Sequence, residues 1–418
     1  MTCLKTGAFP IRRVNWYRIR TQMKTTHTIR YENATAIAGL PADSVELVVT
    51  SPPYPMIEMW DGVFSSQDDR IGEALAREHG ADSFGYMHEV LDGVWSECFR
   101  ALVPGGFMCV NIGDATRKLG DNFRLYSNHS RITQHCSRIG FQSLPVVIWR
   151  KQTNAPNKFM GSGMLPSGAY VTLEHEYVLI FRKGDKRVFD TAGRDRRRRS
   201  AFFWEERNSW FSDIWDFKGV RQALGDEKVR RRSGAFPFEL AYRLINMYSC
   251  KGDTVVDPFL GTGTVTAAGV ACARNTVGFE VDAAFAPIVE RSVSQAPTVG
   301  NAALGQRVRA HMEFVRRRSE EGKPLQYTNG PHGFPVMTKQ ETDLELERVE
   351  GVDRRPDAGP GAPGIAVYEA RHRGIGGCAT IEDAQQLALP GSSGSPDSPG
   401  PDEAAEPSDT PGQGELFP

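Results

Sequence analysis

The 418-residue chain has seven cysteines, odd in number and irregular in spacing, and none stands in a Cys-x-x-Cys pair. Neither a disulfide framework nor a zinc site is supported, and no metal is expected. No apolar run is long enough to cross a bilayer. The N-terminus is basic (Lys5, Arg12, Arg13, Arg18, Arg20) but lacks the apolar core of a signal peptide, and Met23 offers a second possible start. Internal repeats are absent, which excludes solenoids and propellers. These absences point to a soluble protein of a reducing cytoplasm. Lysine and arginine are missing from residues 384–418, which hold six acidic residues; with −1 overall, the remainder carries +5. A modest positive balance permits a nucleic-acid partner without demanding one.

What remains is ordinary globular composition, 40% hydrophobic and 24% charged. The pattern from Thr28 to Thr50 predicts strand, short helix, strand. Tyr86, Val90, Val94, Phe99 and Leu102 fall at helical spacing over 84–102, and Pro104-Gly105-Gly106 separates them from a buried strand, 107–112. A polar helix is predicted around 121–139, stopped by Gly140, then two antiparallel strands, 144–150 and 177–181. Periodicity is lost over 182–233. It resumes as helix 237–247, strand 254–256, helix 264–273, strand 276–279 and a helix around 283–294. Buried strands alternating with helices indicate a mostly parallel sheet covered on both faces. Order is expected to fade beyond Thr338, and Pro, Gly, Ser and acidic residues mark 390–418 as disordered.

Two loops carry the chemistry. Ser51-Pro52-Pro53-Tyr54 follows the apolar run Val45–Val49. It forms a rigid polar loop at a strand's carboxyl end, where open α/β sheets bind ligands. A hydroxyl, stiff carbonyl acceptors and an aromatic ring suit a flat ring bearing an amine. The second loop, Asp257-Pro258-Phe259-Leu260-Gly261-Thr262-Gly263-Thr264, lies between a strand and a helix. It lacks the Gly-Lys-Ser/Thr of a phosphate loop and the GxGxxG of a dinucleotide site. Glu280 ends the next strand, about 20 residues on, where an acidic residue commonly takes ribose hydroxyls. The pair fits a nucleoside held by its sugar, such as S-adenosylmethionine. Each feature alone reads as a helix entry, a polyproline-like turn or a solvated acid; three at the ends of three strands read as a site.

Together these residues resemble the DNA amino-methyltransferases, whose catalytic motif is (Asp/Asn/Ser)-Pro-Pro-(Tyr/Phe) and whose cofactor motif is close to Asp-Pro-Phe-x-Gly-(Ser/Thr)-Gly-Thr. The catalytic motif comes first, as in the beta class. Ile148–Lys151, His175-Glu176-Tyr177, Phe181–Lys183, Asp213-Ile214-Trp215 and Ala235–Leu240 are also similar to the family, over about residues 28–295. Many members have Gly-Asp where this chain has Glu32-Asn33.

The resemblance implies a methyltransferase fold of circularly permuted motif order, with an inserted target-recognition region and a disordered tail. It divides the chain into a basic arm (1–27), a catalytic half (28–183), a DNA-contact region (184–235), a cofactor-binding half (236–300), a helical extension (301–338) and a linker with tail (339–418). Phe236 and Pro237 are implied to pack against the methionine end of the cofactor. Ser51 at the head of the motif implies transfer to cytosine N4 by base flipping. Adenine N6 is the alternative, and an inactive DNA-binding relative is a rival of another class.

Ser51 Oγ and the Pro52 carbonyl are expected to accept hydrogen bonds from the target amine, with Tyr54 stacking on the base. Arg194 and Arg196, Arg197, Arg198 and Arg199 form one basic cluster; Lys228 with Arg230, Arg231 and Arg232 forms another. Both are expected to meet duplex DNA, while Phe202, Phe203, Trp204, Trp210 and Phe211 between them read as a small core. The ending Gln413-Gly414-Glu415-Leu416-Phe417 resembles peptides that dock on bacterial sliding clamps through Gln413, Leu416 and Phe417. A cognate restriction endonuclease is a further possible partner.

Overall fold

The computed structural model describes residues 22–34, 37, 39–151, 160–161, 164–219, 236–356 and 364–376. Its frame is a ten-stranded sheet. In chain order the strands are β1 (Met23–Arg30), β2 (Val45–Thr50), β3 (Leu102–Ile112), β4 (Phe141–Arg150), β5 (His175–Lys183), β6 (Ile214–Asp216), β7 (Thr254–Asp257), β8 (Asn275–Phe279), β9 (Glu347–Arg354) and β10 (Ile365–Gly374). Across the sheet they run β6-β4-β5-β3-β2-β7-β8-β1-β10-β9. The central run from β3 to β1 is parallel; β5 is antiparallel to both β3 and β4, and β10 to both β1 and β9.

Alternation along the central strands splits the core into two layers. Val48, Met108, Val110, Phe181 and Val256 face one side, against Met87, Leu91 and Trp95 of a helix at Gly80–Ala101. Leu47, Val49, Cys109, Ile180 and Val255 face the other, against Leu240 and Leu244 of helix Phe238–Tyr248 and Val265 of helix Thr264–Ala271. Strands buried on both faces need unbroken apolar runs, which β2 and β3 supply.

Three expectations are corrected. The segment ahead of Gly140 is helical only over Asn128–Arg138; Ala115–Leu119 and Asn122–Tyr126 pair as a hairpin. Gly120, at φ 55°, and Asp121 make the two-residue turn, for which a glycine at positive φ is the usual device. The helix expected around 283–294 extends over Ala286–Glu320 and runs through Pro297, so residue 300 is no boundary. Its buried face (Val289, Val293, Ala296, Gly300, Leu304, Val308) recurs every three to four residues and outweighs the one backbone bond that proline removes.

Order also persists past Thr338. β10 pairs with all eight residues of β1, burying Ala366, Tyr368, Ala370 and His372 in strict alternation while Glu369, Arg371 and Arg373 point outward. Residues 1–21, 220–235 and 377–418 lie outside the described residues, and with them Arg230, Arg231, Arg232, Gln413, Leu416 and Phe417.

Candidate active site

The parallel register sets Leu47 beside Val255 and Thr276 beside Val255, so β2, β7 and β8 end together at one edge of the sheet. Ser51-Pro52-Pro53-Tyr54, Asp257–Thr264 and Glu280 leave from those three ends. They wall one cavity of about 560 Å³, a size suited to a small-molecule ligand. Ser51, Pro52, Pro53, Tyr54, Phe236, Asp257, Pro258, Phe259, Gly261, Thr262, Thr264 and Glu280 all line it. Gly263 and Pro237 stand behind the wall. Gly263, at φ 81°, caps the helix that begins at Thr264, and Pro237 caps the helix that begins at Phe238. Asn33 reaches the cavity as well and donates to Gln67 Oε1 at 3.0 Å.

A polar cluster behind Tyr54 fixes the catalytic motif. The Ser51 hydroxyl donates to the Tyr54 hydroxyl at 3.2 Å, and Asn111 Nδ2 donates to the same oxygen at 2.9 Å. Tyr54 in turn donates to Glu176 Oε2 at 2.9 Å, and Lys151 pairs with Glu176 Oε1. A phenol oxygen accepts two bonds and donates one, so this set is complete. Burial first, and then the Glu176 charge, push the Tyr54 hydroxyl well above its usual pKa, so it keeps its proton. With its own proton committed to Tyr54, Ser51 Oγ has its lone pairs left for an incoming donor. The Tyr54 ring lies over Gly113, where an added Cβ would come within 3.0 Å of it, and still borders the cavity.

Two acids stand on the cofactor side. The Thr50 hydroxyl donates to Asp257 Oδ1 at 2.6 Å, and the Phe259 N–H donates to the same oxygen at 3.1 Å. Burial nevertheless dominates and raises the Asp257 carboxyl to about 7. Glu280 accepts the Gly261 N–H at 2.8 Å and the Asp282 N–H at 3.0 Å, which braces the glycine turn; burial raises its pKa too. Both lone pairs of Asp257 Oδ1 are thereby taken, while its Oδ2 and the two Glu280 oxygens can each still accept. Two acids at the cavity, Glu280 and Asp257, with apolar walls at Ile57, Phe259 and Phe285, fit a cationic nucleoside such as S-adenosylmethionine. Among the described residues no cluster of His, Cys, Asp and Glu could hold a metal ion, and no helix is long and apolar enough to cross a membrane. Replacing Glu280 by Ala is expected to weaken cofactor binding about tenfold or more, since a hydrogen bond to a charged group and a brace on Gly261 are both lost. Unaltered affinity by calorimetry would remove Glu280 from the ribose role.

The sequence reading missed Thr50, Asn111, Lys151 and Glu176 as site residues. Polar groups inside otherwise buried strands were the available signal: Asn111 is 1% exposed and Glu176 8%. The first basic cluster stands at the other edge of the sheet. β5 runs antiparallel to β3, so its end at Lys183 delivers the chain to the opposite, amino edge of the sheet. There Arg187 bonds Asp253 at 2.6 Å, Arg196 lies 3.6 Å from Asp253, and Arg199 lies 3.1 Å from Asp195. Asp253 precedes β7 and Asp257 ends it, so about 13 Å of strand separates this cluster from the cavity. Arg194, Arg196, Arg197, Arg198 and Arg199 therefore do not share the motifs' edge. The aromatics divide: Phe203 and Trp210 are buried, while Trp204 and Phe211 are exposed.

Comparison with known proteins agrees with this geometry. A family model described as DNA methylase, covering enzymes of the N6 and N4 type, matches residues 45–291. The chain is 50% identical over 327 residues to the type II methyltransferase M.MthZI of Methanothermobacter thermautotrophicus, covering 78% of this chain and 91% of the relative. It is 46% identical over 280 residues to M.MjaI of Methanocaldococcus jannaschii, covering 64% and 91%. A solved Thermus thermophilus protein described as a DNA modification methylase is 29% identical with TM-score 0.50, covering 65% of this chain and 95% of that one. Another structure of that protein holds S-adenosyl-L-methionine.

Proposed function

The chain belongs to the DNA methylase family of S-adenosylmethionine-dependent amino-methyltransferases, and from that premise we propose that it methylates cytosine N4 at a specific site in duplex DNA. The observation that carries this reading is Ser51, at the head of the catalytic motif, with its proton held by Tyr54 and its lone pairs available. An exocyclic amine conjugated to its ring is a poor nucleophile. Hydrogen bonds accepted from it return electron density to nitrogen and favour a pyramidal geometry. Ser51 Oγ and the Pro52 carbonyl supply those acceptors.

The bound cofactor supplies an electrophilic methyl group; the protein positions and polarises. Tyr54, held by Asn111 and Glu176, offers its ring to the extruded base and offsets part of the unstacking cost of a few kcal/mol. Glu280 takes the ribose hydroxyls, and Phe236 closes the cavity beside the methionine end. The work is done on cytoplasmic DNA, with a cognate endonuclease as the natural partner. The C-terminal Gln413, Leu416 and Phe417 match the pattern of a clamp-docking peptide.

Radiolabelled transfer to duplex DNA, followed by nuclease digestion and mass spectrometry, tests the reading. N4-methylcytosine is the expected product. N6-methyladenine would keep the enzyme class and replace the target base, and no transfer to any duplex would leave only a binding protein.

A further inference from the structure

A second and larger cavity, of about 1080 Å³, opens at the amino edge of the sheet, walled by helices Thr191–Arg199 and Trp204–Trp210. Its lining is cationic. Arg187 is neutralised by Asp253 and Glu46. Lys186, Arg194, Arg197, Arg198 and Arg207 line the same cleft, and among the described residues no carboxylate lies within 4.0 Å of any of them. The acids in the wall are committed elsewhere. Glu46 accepts the Thr254 N–H at 2.8 Å, and Glu341 accepts the Trp204 N–H at 2.9 Å and the Thr338 N–H at 2.7 Å. Two large rings stay accessible beside these cations, Trp204 at 38% and Phe211 at 42% exposure. Each is backed by another ring. Trp204 stacks on Phe314 at 5.7 Å, and Phe211 packs on Phe202 at 5.5 Å.

Uncompensated guanidinium groups next to supported, exposed aromatic faces match the chemistry of unpaired nucleotides, whose phosphates seek the cations while their bases stack on the rings. A duplex buries its base faces in its own stack and could use only the charge. We propose that this cleft is a second nucleic-acid site, distinct from the catalytic cavity, and that it takes a short single-stranded segment. Arg194, Arg197 and Arg198 hold the phosphates, and Trp204 and Phe211 stack the bases. Because it opens at the other end of the strands, a segment held here leaves the catalytic cavity free.

The test uses the full chain and a fluorescently labelled oligothymidylate of eight nucleotides, which offers no target base. Anisotropy is expected to show binding that weakens as salt rises and that an excess of unlabelled duplex does not displace. The double variant Arg197→Gln/Arg198→Gln should make the plot of log affinity against log salt shallower by about 1.4, the counterion term for two lost phosphate contacts on a single strand. Trp204→Ala should weaken binding about fivefold or more. A photo-reactive 5-iodouracil strand should cross-link within residues 200–215 of the unaltered chain, which keeps the proposal testable even if a variant misfolds. Four results would overturn it: no binding by the unaltered chain, full displacement by duplex, thymidine monophosphate binding as tightly as the eight-mer, or cross-links confined to the carboxyl-edge loops.

Discussion

Replacing Ser51 by Ala is expected to cut turnover by about 10² to 10³, the loss typical of one oriented partner at a site of developing charge. Cofactor affinity should stay near that of the unaltered enzyme, because the Ser51 hydroxyl bonds the Tyr54 side rather than the Asp257–Glu280 side. Tyr54→Phe sharpens the test. It keeps a ring for the base but removes the oxygen on which the Ser51 proton, Asn111 Nδ2 and Glu176 converge. Ser51 is then free to turn its proton toward the cavity and to compete as a donor with the amine it should receive. A partial loss in Tyr54→Phe, with Ser51→Ala more severe, is the expected order. Single-turnover methyl transfer measures both, and equal rates for Ser51→Ala and the unaltered enzyme would remove the hydroxyl from the chemistry.

The carboxyl-edge site was legible in the sequence because each of its three parts is local. Ser51–Tyr54, Asp257–Thr264 and Glu280 are short segments, each following its own apolar strand, and parallel neighbours bring such ends together without further information. What could not be read was set by the direction of strands. The segment after Lys183 lies between the two motifs in sequence, yet antiparallel β5 carries Arg194–Arg199 to the far edge. No property of the arginine run reports that direction. The cluster behind Tyr54 failed for a different reason. Asn111 and Glu176 come from strands on which a polar residue has no meaning until its cross-strand neighbours are known; they lie two positions out of direct opposition, on the same face, with Asn111 facing Val178. By contrast β10 carried a readable period of two, with Ala366, Tyr368, Ala370 and His372 inward. It was obscured by the outward charges, which suit one exposed face.

Asp257 is expected to make cofactor affinity strongly dependent on pH. Its carboxyl is 3% exposed, and burial lifts it to about 7 although Thr50 and Phe259 both donate to it. Below that value the empty site holds a neutral acid, whereas a ligand bearing sulfonium and ammonium charges favours the carboxylate. Binding must then expel a proton. Affinity should fall by up to about tenfold for each pH unit below 7 and level off above it, approaching 10² between pH 7 and pH 5. Calorimetry in buffers of different ionisation enthalpy should register close to one proton released at pH 6 and far less at pH 8.

Stability of the cofactor-free chain should move the other way. The folded carboxyl has the higher pKa, so between about pH 4 and 7 the folded chain holds a proton that the unfolded chain has released, and this contribution declines as pH rises through that window. Asp257→Asn should remove both trends, leaving weak, flat cofactor binding and a flatter stability profile. Opposite slopes for affinity and apo stability, both lost in one variant, separate Asp257 from Glu280, since replacing Glu280 would lower affinity without erasing the Asp257 titration. Parallel slopes, or slopes that survive in Asp257→Asn, would assign the titration to another group.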